Sequence, residues 1–161
     1  MKKIILLILI IFTSCGPDPT EFSEKALKDT VLSFNNSKLP FEQILLENKG
    51  KKILIDVWAS WCKDCIVGLP KIKKIQNDFP NVVYLFLSVD KNIASWKRGI
   101  KRYNLIGKHY NLPKGMNEGD FVDFLNVNWI PRYLLVDETG KITVFNAKKA
   151  TDKNLLKALQ K

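Results

Sequence analysis

The chain has 161 residues, of which 46% are apolar, and its formal net charge is +10. This length supports one domain with a hydrophobic core and is too short for two ordinary domains. Nucleic acid is the first partner to consider for so basic a chain. The lysines are scattered along the sequence, however, and no aromatic-interleaved basic patch or nucleic-acid-binding motif occurs. We therefore expect a lysine-rich surface and no nucleic-acid partner.

Residues 1–14 have the pattern of a secretory signal peptide. Two lysines follow the first methionine, and residues 4–12 form an apolar run that is too short to span a bilayer as a permanent helix. Small residues then precede Cys15, as they do in bacterial lipoprotein signals, in which the cysteine becomes the lipidated first residue. We expect lipidation of Cys15, with an ordinary cleaved signal as the alternative, and a mature protein outside the cytosol.

Residues 15–38 are predicted to form a tether and an N-terminal extension, because the segment is polar and begins with Pro17 and Pro19 close together. Within it, residues 31–34 have a β-type pattern and predict an extra edge strand. A short helix is expected over residues 41–47, where apolar side chains recur at helical spacing.

The run Ile53–Trp58 is apolar except for Asp56 and predicts a strand that is buried on both faces. Cys62 and Cys65 follow directly, and apolar residues then recur at helical spacing as far as Phe79. We expect Cys62 at the start of this helix and Cys65 one turn inside it. Residues three apart share a helix face, so the two sulfur atoms can form a disulfide or open to a dithiol.

A helix start favours thiolate chemistry at Cys62. Unpaired N–H groups and the positive end of the helix dipole stabilise an anion there. In such motifs the pKa of the leading cysteine falls from about 8.5 into a range of roughly 3.5–7.5. Lys63 adds positive charge and Asp64 opposes it, so the size of the shift does not follow from the sequence. Cys65 is expected to be shielded, which suits a resolving thiol that breaks a mixed disulfide.

The cysteine pair has three interpretations. A structural disulfide across two residues removes little chain entropy and is a weak staple. A zinc site needs further ligands, and Cys15 and His109 are the only other cysteine and histidine in the chain. Thiol–disulfide exchange is the interpretation that these observations favour.

The chain after the helix continues in an α/β order. Residues 82–89 predict a second buried strand, which should pair in parallel with the first through a right-handed crossover. An amphipathic helix is expected over residues 95–103. Residues 104–119 contain three glycines and Pro113 and are expected to be the least ordered part, and a short helix follows near residues 121–125.

Two strands and a helix complete the predicted elements. Residues 133–136 and 142–145 are β-type runs joined by a four-residue turn that ends in glycine, which predicts a hairpin. Leucines at helical spacing over residues 155–159 predict a C-terminal helix, capped by Thr151 or Asp152.

Residues 41–161 resemble the TlpA/ResA-like thiol-disulfide oxidoreductases of the thioredoxin superfamily. Four features carry the resemblance: the W-C-x-x-C motif at residues 61–65, Asp56 on the preceding strand, Pro70 after the second cysteine, and Ile130-Pro131 before a late strand. The resemblance implies an α/β thioredoxin fold over residues 39–161, with a central mixed β-sheet flanked by helices. It also implies a TlpA-like insertion before the cis-proline loop.

The resemblance assigns roles to the site residues. Cys62 is the expected nucleophile and Cys65 the resolving thiol, and the two form the redox disulfide. Asp56 is the acid that moves protons at the buried cysteine, and its burial should raise its pKa; a strand-end carboxylate that merely meets a lysine is the alternative. Pro131 is the expected cis-proline beside the disulfide, and the backbone of Ile130 is expected to pair with the substrate chain.

The remaining site residues form the expected active-site surface. Trp61 either shields the cysteines and offers a flat docking surface or simply packs, and Lys63 and Asp64 stand between the cysteines. Many TlpA/ResA-like proteins have a glutamate three residues after the second cysteine, and Gly68 stands there instead. A proton relay through that glutamate is therefore absent.

The resemblance implies a thiol-disulfide oxidoreductase without a cofactor or metal, monomeric and held as a lipoprotein on the periplasmic side of the cell envelope. Its expected partners are protein thiols and disulfides and, for a reductant, a membrane electron donor. The reducing direction is favoured. The alternatives are a disulfide oxidant or isomerase, and a copper- or partner-binding module without turnover, which needs His109 beside the cysteines.

Overall fold

The structure, a computed structural model, describes residues 16–161. The expected signal peptide over residues 1–14 and the expected lipidation of Cys15 lie outside the described residues and stay predictions. Within the part described, none of the helices combines the length and the apolar character that crossing a membrane requires.

Strands and helices alternate along the described chain. In chain order they are α1 (Glu24–Lys28), β1 (Thr30–Ser33), β2 (Lys38–Pro40), α2 (Phe41–Leu46), β3 (Ile53–Trp58), α3 (Lys63–Asp78), β4 (Val83–Ser88), α4 (Ile93–Tyr103), β5 (Lys108–Asn111), α5 (Asp120–Phe124), β6 (Arg132–Val136), β7 (Ile142–Ala147) and α6 (Lys153–Leu159). The strands form one sheet in the order β2-β1-β5-β4-β3-β6-β7. This is the mixed, helix-flanked sheet that the resemblance implies.

The centre of the sheet is β3, which pairs in parallel with β4 and antiparallel with β6. All six of its side chains are buried, as its continuous apolar sequence predicts. Because β3 and β4 are parallel, their carboxyl ends lie at the same edge of the sheet. The loop that carries the first cysteine leaves β3 at this edge.

The helices lie on both faces of the sheet. On one face α3 and α4 are neighbours, because Lys73 of α3 donates a hydrogen bond to the carbonyl of Tyr103 in α4, at 3.1 Å. On the other face, the Arg132 side chain of β6 reaches the Leu125 carbonyl at the end of α5, at 3.0 Å. The chain therefore places the redox helix α3 and the helix α5 on opposite sides of β6.

The N-terminal extension contributes more to the sheet than its sequence predicts. The strand expected over residues 31–34 is β1, but β2 pairs outside it, so β1 is not the edge. Buried Asp29 ties this region to the core, since it accepts a hydrogen bond from the Phe121 N–H at 3.0 Å. The ring of Phe22 also stacks on Phe121, with centroids 6.1 Å apart. The fold thus begins before residue 39.

The segment 104–119, expected to be the least ordered part, contains the strand β5. This strand pairs in parallel with β4 and antiparallel with β1. Its sequence, Lys-His-Tyr-Asn, lacks an apolar run, so the expectation was wrong for these four residues. The amide nitrogen of buried Asn111 donates to the carbonyls of Ser88 and Asp90, which helps a polar strand lie inside the sheet.

The other predicted elements are confirmed with small shifts of their ends. The helix α4 begins at Ile93, two residues before the expected start. Gly140 ends the predicted hairpin turn with a φ of 91°, which a residue without a Cβ adopts readily. Asp152 caps α6 by accepting from the N–H groups of Asn154 and Leu155.

Candidate active site

Cys62 and Cys65 form a disulfide at the start of α3, with their Cα atoms 5.3 Å apart. Cys62 is the residue that caps α3, and the Cys65 N–H donates to its Sγ at 3.1 Å. Cys62 is 6% exposed and Cys65 1%. After reduction, a Cys62 thiolate would accept a hydrogen bond from this N–H and would be stabilised by the helix dipole. Cys65 would stay buried.

The loop before β6 lies directly against the disulfide. The Ile130–Pro131 peptide bond is cis, which is the geometry that the resemblance implies for Pro131. The carbonyl oxygen of Ile130 lies 3.7 Å from the Cys62 Sγ. This arrangement brings three of the predicted site residues together, although 68 residues separate Cys62 from Ile130.

Exposed apolar side chains surround the redox pair. Trp61 is 60% exposed and precedes Cys62, and Val67 on α3 is 69% exposed. Trp129, just before the cis-proline loop, is 54% exposed. Lys63 and Asp64 are also exposed, on the first turn of α3. The Trp61 side chain is thus exposed and is not packed into the core. Sequence reasoning missed Val67 and Trp129, because no local pattern predicts that they are exposed.

Asp56 lies inside the protein on the α3 face of the sheet. It is 4% exposed, its Oδ1 has no hydrogen-bond partner within residues 16–161, and burial raises its pKa to about 8. Its Cα partner across β6 is Tyr133, which is also buried. The alternative of a strand-end carboxylate that meets a lysine does not fit this position, since among residues 16–161 no lysine or arginine forms an ion pair with Asp56.

Tyr133 connects this carboxyl to the redox helix. A Cβ built at Gly68 would lie 3.1 Å from the Tyr133 hydroxyl, so the phenol occupies the space beside α3, one turn after Cys65. Burial and the negative charge of Asp56 both raise the pKa of Tyr133. Sequence reasoning assigned no role to Tyr133, and its pairing with Asp56 follows only from the β3–β6 register.

A second buried carboxylate, Asp90, holds the loop that carries Cys62. The Ser60 N–H and hydroxyl donate to its two oxygens at 2.8 and 2.7 Å. The hydroxyl of Ser88 donates to it at 2.8 Å, and Asn111 donates to its carbonyl at 2.8 Å. We call Asp90, Ser60, Ser88 and Asn111 the Asp90 clamp. Sequence reasoning missed it, although the adjacent carboxyl ends of two parallel strands are a usable signal.

Gly99 of α4 supports the same loop from one side. A Cβ built at Gly99 would lie 2.7 Å from the Cβ of Ser60 and 3.2 Å from the ring of Trp58. Only a residue without a side chain lets α4 approach the loop so closely. The position of Cys62 is therefore fixed by α3, by the Asp90 clamp and by the contact at Gly99.

His109 does not lie beside the cysteines. It is on β5, in register with Phe86 of β4, which is itself in register with Asp56; two strand spacings are about 10 Å. Its ring stacks on Phe86 at 5.3 Å, its Nε2 lies 3.1 Å from the Leu105 carbonyl, and burial lowers its pKa. Across residues 16–161 no group of three or more His, Cys, Asp or Glu side chains is placed to hold a metal.

Comparison with known proteins agrees with this geometry. The family model described as thioredoxin-like matches residues 50–142, which is more than half of the chain. The thioredoxin-like protein YneN of Bacillus subtilis is 29% identical over 118 residues, covering 69% of this chain and 65% of the relative. The thiol-disulfide oxidoreductase ResA of Bacillus cereus is 25% identical over 120 residues, covering 73% of this chain and 66% of the relative. The chain thus spans slightly less than two thirds of either relative.

A solved structure shares the fold. The thioredoxin domain of a thiol-disulfide oxidoreductase from Bacteroides vulgatus superposes with a TM-score of 0.67 at 22% identity, covering 85% of this chain and 94% of that one. The matched family model covers the stretch from the residues before β3 to the start of β7, and the solved structure shares the fold. The chain belongs to the thioredoxin-like family.

Proposed function

We propose that this protein is a thiol-disulfide oxidoreductase whose Cys62–Cys65 pair undergoes thiol–disulfide exchange with other proteins. The observation that carries the proposal is the disulfide at the N-terminus of α3, with Cys62 against the Ile130 carbonyl of the cis-proline loop. A structural disulfide of this span would stabilise the fold little. Its place at an apolar, exposed surface suits exchange with another protein.

In the reducing direction the exchange has two steps. The Cys62 thiolate attacks one sulfur of a substrate disulfide, forms a mixed disulfide and releases the other substrate sulfur as a thiolate, which takes up a proton. Cys65 then loses its proton and attacks Cys62 Sγ, which releases the second substrate thiolate. Two electrons pass from the protein dithiol to the substrate, and the Cys62–Cys65 disulfide is formed.

Asp56 is the proposed acceptor of the Cys65 proton. A buried thiol is a poor nucleophile until it is deprotonated, and water has little access to Cys65, which is 1% exposed. Burial raises the Asp56 pKa to about 8, close to neutral pH, where a general base is most effective. Buried Tyr133, paired with Asp56 on β6 and close to Gly68 of α3, would help to keep water from this carboxyl.

The substrate is proposed to lie across the cis-proline loop. The backbone of Ile130 would pair with the substrate chain next to its cysteine, and Pro131 would keep that backbone in place. Trp61 would cover the substrate from the other side. The side chain of Ile130 is buried. The position therefore supports pairing with the substrate through the Ile130 backbone.

The proposal extends to place and direction. We infer a monomeric protein on the periplasmic side of the cell envelope, exported by the signal over residues 1–14 and anchored through lipidated Cys15, with the residues just after Cys15 as the tether to the domain. It would reduce disulfides in envelope proteins and receive electrons from a membrane donor. A disulfide oxidant or isomerase would use the same residues at a higher reduction potential.

The cysteines can be tested by substitution. Cys62→Ser is expected to abolish reduction of a disulfide peptide, because the attacking thiolate is missing, whereas Cys65→Ser should accumulate mixed disulfides that non-reducing electrophoresis detects. Reduction that survives in Cys62→Ser would contradict the proposal.

The direction is tested by the reduction potential of the pair, measured by equilibration with a glutathione or dithiothreitol series. A value near or below about −270 mV supports a reductant, and a value near −120 mV reverses the direction.

A further inference from the structure

A groove of about 470 Å³ opens beside the disulfide, between α3, the cis-proline loop and the segment after β7. Apolar side chains of Val67, Trp129 and Pro131 line it, and Lys71, Lys148 and Lys149 surround them. The position of the last two lysines follows from the sheet. Ala147 pairs with Tyr133, so the chain beyond Ala147 runs alongside Pro131.

The three lysines are free to bind a partner. All three side chains are exposed, and across residues 16–161 no carboxylate lies within 4.0 Å of any of them. Other surface lysines, such as Lys74 and Lys28, are held in ion pairs along their own helices. The groove contains one carboxylate, Asp64, so its lining carries a net positive charge of two.

Arg132 does not share this role, although it follows Pro131 in sequence. Its side chain is 2% exposed and donates to the Leu125 carbonyl at 3.0 Å, on the opposite face of the sheet. Positive charge at the redox site therefore comes from exposed lysines, namely Lys63 beside Cys62 and the three lysines of the groove. The combination of exposed apolar surface and unpaired ammonium groups fits a chain that carries both apolar and acidic residues.

We propose that Lys71, Lys148 and Lys149 select substrate proteins whose redox cysteine is followed or preceded, within a few residues, by acidic side chains. The inference rests on the proposed function, since it names the substrate class of the same site. The apolar floor of the groove would hold a side chain next to the substrate cysteine. The lysines would pair with carboxylates at its rim, where they raise the rate of encounter and orient the chain.

The size of the preference follows from the exposure of the lysines. One exposed ion pair contributes a factor of roughly 1.4 to 5, so two pairs predict an acidic-over-neutral preference of about 2- to 25-fold. Salt screens such pairs, because the Debye length falls from about 10 Å at 0.1 M to 3 Å at 1 M. The preference should therefore shrink as ionic strength rises.

The test uses two synthetic peptides with one intramolecular disulfide each, identical except that two glutamates beside one cysteine are replaced by glutamines. The reduced protein is mixed with each peptide in a single turnover and the reaction is quenched with acid. The second-order rate constant is obtained from the fraction of peptide in the dithiol form, which is separated from the disulfide form by chromatography. We expect the acidic peptide to react about 2- to 25-fold faster at low salt. The ratio should approach one at 1 M salt.

Two triple variants separate the groove from the overall charge. Lys71→Glu, Lys148→Glu and Lys149→Glu together should bring the acidic-over-neutral ratio to one or below. Lys49→Glu, Lys51→Glu and Lys141→Glu change the net charge equally at the opposite end of the sheet, where β3 begins, and should keep the preference.

The outcomes distinguish this inference from the proposed function. A ratio near one in the unmodified protein, or an equal loss of preference in both triple variants, overturns the role of the lysines while exchange itself continues. If neither peptide is reduced by the unmodified protein, the proposed function fails, and the substrate class fails with it.

Discussion

Two buried carboxylates stand near the redox pair, and their surroundings differ in one respect. Asp56 is 4% exposed and Asp90 1%. The Asp90 carboxylate accepts three hydrogen bonds, from the N–H and hydroxyl of Ser60 and from the hydroxyl of Ser88. Asp56 has an oxygen without a partner in the described part of the chain, and burial raises its pKa to about 8.

The two carboxyls differ in the hydrogen-bond donors around them. Burying a charge is costly unless hydrogen-bond donors replace the lost water. Asp90 has these donors, and it uses them to hold the loop before Cys62. Asp56 lacks them, so its carboxyl keeps a proton up to about neutral pH and is suited to exchanging it. Equal burial thus accompanies a clamp in one place and the proposed proton acceptor in the other.

Removing the clamp should give the largest loss of stability. Asp90→Ala leaves three donors without an acceptor, and two of them belong to half-buried Ser60, where water can reach them. Hydrogen bonds to charged groups contribute about 1.5–3 kcal/mol each, and the access of water brings the expected loss below the sum of the three. We expect the free energy of unfolding to fall by about 4 kcal/mol, measured by urea denaturation of the oxidised protein. Asp90→Asn, which can still accept from Ser60 and Ser88, should lose only about 1 kcal/mol.

The clamp variants also test what Asp90 does for the site. If its role is to position Ser60, Asp90→Ala should slow the reaction of the reduced protein with a disulfide peptide even where the variant is fully folded. An unchanged rate in the folded variant would show that the loop holds its shape without the clamp.

The unpartnered carboxyl should appear in the pH dependence of stability. The folded-state pKa of Asp56 is about 8, above the ordinary value of 3.8 that the unfolded chain has. The folded state therefore keeps a proton that the unfolded state loses, so stability falls as pH rises from about 4 to 8. Each pH unit in this window costs about 1.4 kcal/mol. Between pH 5 and 7 the unmodified protein should lose about 3 kcal/mol relative to Asp56→Asn.

The matched control is Asp64→Asn, which removes an exposed carboxyl at the same site. It should leave the pH dependence of unfolding as it is in the unmodified protein. A parallel pH dependence for Asp56→Asn and the unmodified protein would contradict the raised pKa. Asp56→Asn should also slow the attack of Cys65 on the mixed disulfide roughly 10²-fold near neutral pH, because the proposed proton acceptor is missing.

The contrast also explains what the sequence could predict. The strands β3 and β4 were predictable because fully buried strands are continuous apolar runs, and the cysteine spacing predicted the start of α3. The polar strand β5 was not, because Asn111 is buried through contacts with residues 21 and 23 positions away. The Asp90–Ser60 contact likewise joins residues 30 apart and depends on the parallel pairing of β3 with β4.

Substitution of Gly99, beside the Asp90 clamp, should give a smaller change in the free energy of unfolding. At Gly99 an alanine gains about 1 kcal/mol of helix propensity, but its Cβ would lie 2.7 Å from the Cβ of Ser60. Overpacking of this kind costs about 1–3 kcal/mol. We expect Gly99→Ala to lose about 1 kcal/mol in urea denaturation and to change the rate of Cys62 alkylation in the reduced protein. A more stable variant with an unchanged alkylation rate would show that the loop moves freely at this contact.

Substitution of Gly68 should give the smallest change in the free energy of unfolding. The sign of this change depends on the contact with Tyr133. A Cβ at Gly68 meets the Tyr133 hydroxyl at 3.1 Å, where a shift of a few tenths of an ångström relieves the contact. The gain of about 1 kcal/mol in helix propensity and the cost of displacing Tyr133 should nearly cancel in Gly68→Ala. Tyr133→Phe removes the hydroxyl, so the same substitution in that background should stabilise the fold by about 1 kcal/mol. The difference between the two backgrounds, measured as a double-mutant cycle by urea denaturation, isolates the contact; equal effects would mean that the phenol does not limit the space beside α3.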